Sequence, residues 1–396
     1  MAERSGDSQD RAHMRRALAL ARRGWGQTAP NPMVGAVVVQ GGEVIGAGYH
    51  ARYGGDHAEV AALRQAGARA RGATVYVTLE PCAHFGKTPP CADALIAAGV
   101  SRVVIAARDP NPTAAGGIER LRQAGIAVAV GIEEQAAREL NGPFFHAFPA
   151  TRPWITLKLA VAIDGAIADA QGRSQWITGA RSRREVHRLR AGHDAIAVGI
   201  GTVLADDPSL TVRDVRAPRV APRRVVFDRT ARIPLDATLV RTAREIPTIV
   251  VTESASPDRV SALDRAGVEV VRADSLMDAL TQLRAREIRS LLVEGGARLA
   301  GALLTHGAVD RMIIFRAPVL LGAGALNAFA FAPSLGLGEA PRLPILRQRR
   351  LGADTMTVYA IRDSERAVMA SDGEESRATV IPSVSEESRS HPEIPR

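Results

Sequence analysis

Cysteine, aromatic residues and long apolar runs are all scarce in this 396-residue chain. It has two cysteines and 4% aromatic residues, and no apolar run reaches 18 residues. The last absence excludes a transmembrane helix. The charged stretch before Arg16 has no apolar core, which argues against a secretory signal, so we expect a cytoplasmic protein with reduced thiols. Hydrophobic residues still make up 46% of the chain, enough for the two domains that its length predicts.

Basic residues exceed acidic ones, with 51 Lys and Arg against 42 Asp and Glu, but they form no block. A scattered excess is typical of a solvated surface, and it suits an anionic small ligand. It supports nucleic-acid binding only weakly. We therefore expect a small-molecule substrate, with neither nucleic acid nor membrane as a partner.

Both cysteines lie with a histidine in one window of 35 residues, from His57 to Cys91. One histidine and two cysteines (His57, Cys82 and Cys91) would leave the fourth position of a zinc ion open, as catalytic zinc requires. Glu59 is two residues beyond the histidine and suits a proton carrier beside the metal. We predict one Zn²⁺ per chain and Glu59 as the catalytic residue. The eight residues between the cysteines exceed the two of the nucleobase-deaminase signature.

Simpler interpretations exist for each of these residues. The cysteines could be small buried hydrophobic residues or form a disulfide, although Glu59 and Pro81 favour a metal site. Asn31, in a rigid loop between two prolines, could hold the edge of a heterocycle or belong to a plain turn. His84 could contact the substrate or be a solvated loop residue.

Helical and strand patterns alternate along the whole chain, which predicts sheets covered by helices. In the first half we expect helices from Arg11, from His57 and directly after Pro81. Pro143, Pro149 and Pro153 mark a junction, and after Arg362 the composition turns polar. The predicted parts are a frayed segment 1–10, a zinc deaminase domain 11–147, a second α/β domain 148–362 and a disordered tail 363–396.

Glycines and arginines in the second half indicate a nucleotide site, but weakly. Glu294-Gly295-Gly296 follows a predicted strand and precedes a helix, where backbone N–H groups could meet a phosphate. Gly199-Ile200-Gly201 lacks the third glycine of a dinucleotide fingerprint. Arg190 and Arg213 could clamp a phosphate, or they could be surface residues.

Three motifs together resemble a known family. They are TAPNPMVG at 28–35, HAEV at 57–60 and PCAHFGKTPPC at 81–91. They look like the deaminase domain of the bifunctional riboflavin-biosynthesis deaminase/reductases, in which the long cysteine spacing is normal. Residues 154–361 are similar to the reductase domain of the same family. The resemblance implies an N-terminal cytidine-deaminase-like α/β/α sandwich and a C-terminal dihydrofolate-reductase-like α/β domain.

The resemblance also implies the reactions and the site residues. The first domain would deaminate 2,5-diamino-6-(5-phosphoribosylamino)pyrimidin-4(3H)-one, and the second would use NADPH to reduce the ribosyl side chain of the product to ribityl. It implies a homodimer or higher homo-oligomer. The implied substrate contacts are Asn31, His84, Ser174, Arg190, Leu210, Arg213 and Glu294. The implied cofactor contacts are Ala160, Trp176, Thr202, Asp206, Gly296, Ala297, Arg298, Leu299, Ala300, Gly301 and Ala302.

The sequence departs from the family pattern in places. Residues 113–117 appear one residue short, and Arg229 stands where the family often has serine. We hypothesise that Arg229 meets the 2′-phosphate of NADPH, and that Lys158 assists at the opened sugar. Two alternatives remain at this point: an RNA or nucleoside deaminase, which the second domain argues against, and a non-enzymatic scaffold, which the intact His-Glu-Cys-Cys set argues against.

Overall fold

The computed structural model describes residues 2–86 and 89–361, with side chains from residue 8 onward. The predicted disordered tail lies outside the described residues. Within the described ranges, no helix is both long enough and apolar enough to span a bilayer.

The first domain alternates helices with short strands, as its apolar pattern predicts. Its elements are α1 (Ala2–Ala21), β1 (Gly35–Gln40), β2 (Glu43–Tyr49), α2 (Ala58–Ala66), β3 (Thr74–Leu79), α3 (Cys91–Ala97), β4 (Arg102–Ala107), α4 (Gly117–Gln123), β5 (Ala127–Val130), α5 (Glu134–Leu140) and α6 (Gly142–His146), with 3₁₀ turns at Arg22–Gly24 and Gly67–Ala70.

The first sheet has the strand order β2-β1-β3-β4-β5 and is covered on both faces. Strand residues alternate between the faces because their side chains have a period of two. Val38 and Ile105 pack with α2, α3 and α4, whereas Val37 and Val104 pack with α1, α5 and α6. This is the predicted α/β/α sandwich. The pairs β3/β4 and β4/β5 are parallel, so β3 and β4 end at the same edge of the sheet.

The second domain begins at Trp154 and is also α/β. Its elements are β6 (Trp154–Val161), β7 (Ala166–Ala168), α7 (Ala180–Arg190), β8 (Ala195–Gly199), α8 (Ile200–Asp206), β9 (Arg223–Phe227), α9 (Thr238–Arg241), β10 (Thr248–Thr252), α10 (Pro257–Arg265), β11 (Glu269–Arg272), α11 (Leu276–Ala285), β12 (Ser290–Val293), α12 (Ala297–Thr305), β13 (Arg311–Arg316), β14 (Leu326–Asn327), β15 (Ile345–Leu351) and β16 (Asp354–Ala360).

The second sheet has nine strands in the order β11-β10-β9-β8-β12-β6-β13-β16-β15. The pairs from β11 to β13 are parallel, and β16 and β15 add an antiparallel edge. All strands from β11 to β13 therefore end at one edge, where α/β sheets carry their ligands.

Several predicted boundaries were wrong for physical reasons. Helix α1 begins at Ala2, not Arg11, and its Asp10 carboxylate accepts bonds from Tyr76 and Arg102, which attach that part of the helix to the sheet. Cys82 does not open a helix. Pro90 precedes the next helix in an extended conformation, so α3 begins only at Cys91. The Arg-rich edge strand β15 was missed because its burial does not alternate regularly.

The two domains are in direct contact. The indole N–H of Trp25 donates to the carbonyl of Arg188 at 2.7 Å. A Cβ on Gly192 would lie 2.0 Å from the ring of Trp25, so only glycine allows this approach. Arg152 at the junction forms a bidentate pair with Asp310 of the second domain, at 2.7 and 3.0 Å.

Candidate functional site

The predicted metal residues converge although they come from three separate elements. His57 immediately precedes α2, Cys82 follows β3 and Cys91 opens α3. Nδ1 of His57 lies 3.1 Å from Sγ of Cys91 and 3.6 Å from Sγ of Cys82. The three ligand atoms lie within 4.8 Å of one another. Ligands of a tetrahedral zinc lie roughly 3.3–3.8 Å apart, so this set fits a zinc ion.

The two thiols differ in their protonation, and Cys82 is the one held in the form that binds a metal. The side-chain hydrogen bond from Cys91 lowers the pKa of Cys82 to about 4, and the backbone N–H of Cys91 donates to the same sulfur at 3.3 Å. The same side-chain contact raises the pKa of Cys91. Cys82 is therefore the first thiolate of the pair, and thiolate is the form of sulfur that binds a metal.

Glu59 lies beside this triad with only 3% of its surface exposed. Burial raises the pKa of its carboxyl to about 7. A carboxyl with a pKa near 7 can both accept and return a proton at neutral pH. This position and pKa support the predicted role of Glu59 as a proton carrier, which stays a prediction.

A cavity of about 250 Å³ opens above the triad, and Asn31 and His84 line it. His50 fixes Asn31: its Nδ1 donates to the Asp56 carbonyl at 3.0 Å, which leaves Nε2 to accept from Nδ2 of Asn31 at 3.4 Å. Burial lowers the pKa of His50, which keeps the ring neutral for this role. Nδ1 of His84 is buried and has no hydrogen-bond partner among the described residues, so it is available to a ligand.

Glu80 was missed by the sequence analysis, although it connects the loops around the cavity. Its carboxylate accepts the backbone N–H groups of Asp109, Gly116 and Ile118 at 3.2, 3.0 and 3.2 Å. Its only signal in the sequence is its position between a buried strand and Pro81. The contact holds the segment 109–117, including the part that appeared one residue short, against the strand that leads to Cys82. Asp109 and Asn111, which this segment carries, line the cavity.

The second domain gathers its own predicted residues at the carboxyl ends of its strands. Glu294 follows β12, and Arg190 ends α7. Nε and Nη2 of Arg190 donate to the two carboxylate oxygens of Glu294 at 2.6 and 3.0 Å, and Nζ of Lys158 lies 3.9 Å away. Burial alone would raise the pKa of Glu294, but the charge and hydrogen bonds of Arg190 lower it to about 2. This carboxylate is a fixed negative charge.

The engagement of Arg190 changes its expected role. Its remaining Nη1 donates to the carbonyl of Thr211 at 2.9 Å, so its guanidinium cannot also grip a phosphate in a bidentate manner. Arg213 is exposed and touches Ser209 and Thr211 through Nη1 only, at 3.3 Å, which makes it the better phosphate candidate. The side chain of Leu210 packs in an apolar core, so only its backbone could meet a substrate.

The predicted substrate and cofactor residues adjoin one another. The hydroxyl of Ser174 donates to the carboxylate of Asp206 at 3.1 Å. A Cβ on Gly296 would meet only Oγ1 of Thr202, at 3.8 Å, so bare backbone faces this region where α8 and α12 begin. Trp176 is 67% exposed, and the guanidinium of Arg183 lies over its ring. Ala160 is half-buried on β6, two residues from Lys158 and therefore on the same face.

Two residues of the predicted cofactor segment 296–302 face the core of the domain instead of the strand ends. Ala300 and Gly301 are buried, and a Cβ on Gly301 would overlap the carbonyl of Phe331. Helical periodicity rotates them into the core, away from the strand ends. Ala297 is also buried, so only its backbone could meet a cofactor, and the prediction remains for Gly296, Arg298, Leu299 and Ala302. Arg229 is exposed and pairs with Glu253 at 2.8 Å, which occupies part of the guanidinium proposed for the 2′-phosphate.

Comparison with known proteins covers both domains. Residues 7–107 match the cytidine and deoxycytidylate deaminase zinc-binding region, and residues 153–355 match the RibD C-terminal domain. The riboflavin biosynthesis protein RibD of Aquifex aeolicus is 48% identical over 318 residues, covering 80% of this chain and 88% of the relative. The chain belongs to the RibD family.

Other RibD proteins agree over nearly their full length. The protein of Escherichia coli is 44% identical over 370 residues, covering 87% of this chain and 98% of the relative. The structure of Acinetobacter baumannii RibD (form 1) superposes with a TM-score of 0.77 at 40% identity, covering 89% and 99% of the two chains. A deaminase/reductase structure from Thermotoga maritima gives a TM-score of 0.77 at 35% identity, covering 90% and 100%.

The RibD match confirms the predicted fold classes and the bifunctional assignment. The chain is an enzyme of riboflavin biosynthesis with a deaminase and a reductase domain. The zinc-binding family match agrees with the geometry of His57, Cys82 and Cys91, and a small-molecule pyrimidine substrate fits the family. The roles of single residues remain predictions that the geometry supports to different degrees.

Proposed function

We propose that the first domain removes the amino group at C2 of 2,5-diamino-6-(5-phosphoribosylamino)pyrimidin-4(3H)-one by hydrolysis. The second domain then reduces the ribosyl group of the product, 5-amino-6-(5-phosphoribosylamino)uracil, to ribityl with NADPH. A homodimer or higher oligomer in the cytoplasm remains a prediction, and light scattering tests its oligomeric part.

The deaminase step uses Glu59 as its proton carrier. When held by His57, Cys82 and Cys91, a zinc ion supplies a Lewis acid that makes water a better nucleophile near neutral pH. Glu59 accepts a proton from the attacking water and returns it to the departing amine, so a C–O bond forms, a C–N bond breaks and ammonia leaves. Asn31, fixed by His50, orients the edge of the ring.

The reductase step uses the charged cluster formed by Lys158 in β6, Glu294 directly after β12 and Arg190 at the end of α7. NADPH supplies the hydride when bound. Reduction of the opened sugar also requires a proton, and Lys158 is well placed to donate it because burial lowers the pKa of its ammonium. Glu294 holds Lys158 and Arg190 in place, and Arg213 binds the phosphate of the sugar. Gly296 and Thr202, where two helices begin, leave room for the cofactor.

One observation carries this proposal: the His-Cys-Cys triad with Glu59 and the Lys158–Glu294 cluster occur in one chain that matches RibD proteins across both domains. This combination favours two consecutive reactions over an RNA deaminase or a scaffold, because neither alternative needs the second cluster.

The test is an assay of the zinc-loaded protein with the diamino-pyrimidine phosphate, with and without NADPH. We expect ammonia release without NADPH, and NADPH oxidation only after ammonia release has begun. Glu59→Gln should slow ammonia release by about 10²–10⁴-fold and leave the reduction of supplied deaminated substrate unchanged. Glu43→Gln, an exposed carboxyl on β2, is the matched control. Ammonia released from RNA but not from the pyrimidine phosphate would contradict the proposal.

A further inference from the structure

A second cleft, of about 530 Å³, lies between the two domains. Its floor includes Trp154, Asp194, Ser290 and Arg311, which stand at or just before the starts of β6, β8, β12 and β13. These parallel strands start at the edge of the sheet opposite Glu294, so the cleft is not the reductase site. Clefts of this size at domain interfaces are common places for small ligands.

The cleft is rich in positive charge. Four arginines line it, against two acidic residues, Asp194 and Glu287. Oδ2 of Asp194 is already occupied by the N–H groups of Arg289 and Ser290 and by the Ser290 hydroxyl. In the described part of the chain, no carboxylate forms an ion pair with the four, which are Arg219, Arg223, Arg289 and Arg311.

Carbonyl oxygens engage three of these arginines only in part. Arg219, Arg223 and Arg311 each donate one nitrogen to a carbonyl, of Ala29, Arg286 and Glu139, at 2.6, 3.0 and 2.7 Å. Burial lowers the pKa of Arg311, although the charges of Glu139 and Asp310 partly oppose this shift. An anion would add negative charge and accept two hydrogen bonds from one guanidinium.

Two buried donors on the floor of the cleft are left without an acceptor. Nε1 of Trp154 and Nε of Arg311 have no hydrogen-bond partner among the described residues. The two side chains are neighbours, with the guanidinium carbon 5.3 Å from the centre of the indole ring. Buried donors are nearly always paired in native proteins, so their clustering here points to a missing acceptor.

We propose that the interdomain cleft, which adjoins the deaminase cavity and shares Asn31, Tyr53 and Phe144 with it, binds a small phosphorylated ring compound apart from the zinc triad and from the reductase cluster. The arginines would bind the phosphate, and the aromatic side chains Trp25, Tyr53, Phe144 and Trp154, which all line the cleft, would pack against the ring. Such a compound could be a phosphorylated pyrimidine or a flavin phosphate, and the two share this chemistry.

The experiment uses the full zinc-loaded chain with Trp176→Phe. The chain has three tryptophans, so the fluorescence then comes from Trp25 and Trp154, both in the cleft. Separate titrations with uridine monophosphate, flavin mononucleotide and inorganic phosphate are followed by fluorescence, corrected for flavin absorbance. We expect a saturable change with at least one nucleotide and weaker binding of phosphate. The tighter nucleotide identifies the source.

Variants locate the bound compound. Arg289→Gln and, on the rim, Arg219→Gln should each weaken nucleotide binding by about tenfold. Arg241→Gln, an exposed arginine on α9, Arg213→Gln in the reductase site and His84→Gln, which lines the deaminase cavity but not the cleft, should leave it within about twofold. Thermal melting checks that each variant is folded. Three results would each overturn the proposal: no saturable change at millimolar nucleotide, equal affinity for phosphate and nucleotide, or a loss confined to Arg213→Gln.

Discussion

The two active sites of this chain are built from different material. The deaminase triad comes from one window of 35 residues and uses both cysteines of the chain, whereas the reductase cluster draws common residue types from Lys158 to Glu294. Scarce residue types with a specialised chemistry, such as cysteine, indicate a site in the sequence. Charged residues do not, because the chain has 51 Lys and Arg and any one of them could be a surface residue.

The two active sites also differ in the pKa of a buried carboxyl, Glu59 in the deaminase site and Glu294 in the reductase site. Burial raises the pKa of Glu59 to about 7, although the neighbouring His57 partly opposes this rise. Glu294 is equally sequestered, yet Arg190 and Lys158 bring its pKa to about 2. One carboxyl can exchange a proton at neutral pH and the other cannot. Neighbouring charge, not burial, therefore separates a proton carrier from an electrostatic anchor.

The largest expected effect is loss of the deaminase activity with the reductase activity unchanged. Cys82→Ser removes one of three protein ligands, so we expect loss of bound zinc and a fall in ammonia release on the order of 10³-fold or more. Metal analysis and the ammonia assay measure both. NADPH oxidation with deaminated substrate is the internal control and should be unchanged. Full zinc retention would contradict the ligand role of Cys82. Equal loss of both activities in a folded protein would show that the two halves are not independent.

Glu294→Gln should affect the reductase half alone. It leaves Arg190 and Lys158 buried without their counter-charge, which costs about 3–5 kcal/mol of folding stability. We expect reduction to slow by about 10²-fold and ammonia release to stay unchanged. Urea unfolding and steady-state kinetics measure these effects. Glu253→Gln is the matched control, because its pair with Arg229 is exposed and contributes at most about 1 kcal/mol.

The pH dependence of folding stability tests the lowered pKa of Glu294. The folded pKa of Glu294, about 2, lies below its ordinary value of 4.5, so the ionised group stabilises the fold above pH 4.5. That contribution declines as the pH falls from 4.5 towards 2. The difference in unfolding free energy between wild type and Glu294→Gln should therefore shrink over this window. A difference that stays constant to pH 3 would contradict the assigned pKa.

Glu80→Gln should have a smaller effect, confined to substrate binding in the deaminase half. An amide cannot accept all three backbone N–H groups, so the segment 109–117 should loosen by about 1–3 kcal/mol. We expect the KM for deamination to rise about tenfold, with zinc content unchanged. Glu119→Gln is the matched control, since that exposed carboxylate lies 3.8 Å from Arg108 and the two residues flank the segment. Equal effects of the two variants would contradict the proposal that Glu80 positions this segment.

The smallest expected effect concerns Arg229. If this arginine meets the 2′-phosphate, Arg229→Ser should weaken NADPH binding more than NADH binding, by a few-fold only, because Glu253 already competes for it. Binding titrations with the two cofactors measure the difference. Equal changes for both cofactors would mean that the hypothesis is wrong.

Local patterns predicted the alternation of strands and helices in both domains, because periodicity and glycine or proline boundaries are local properties. They could not predict that α1 extends past Asp10, since the partners of Asp10 are the distant Tyr76 and Arg102. The triad was predictable from residue types alone. The engagement of Arg190 by Glu294 was not, because it joins residues 104 positions apart.

Strand β6 has a kinetic consequence. It runs from Trp154, at the cleft beside the deaminase cavity, towards the opposite edge of the sheet, where the reductase cluster lies. Its eight residues span about 26 Å. The sheet therefore lies between the cleft and the reductase cluster, and we expect the first product to pass through solvent before it is reduced. Its concentration in bulk should set a lag before NADPH oxidation, and that lag should shorten as more enzyme is added.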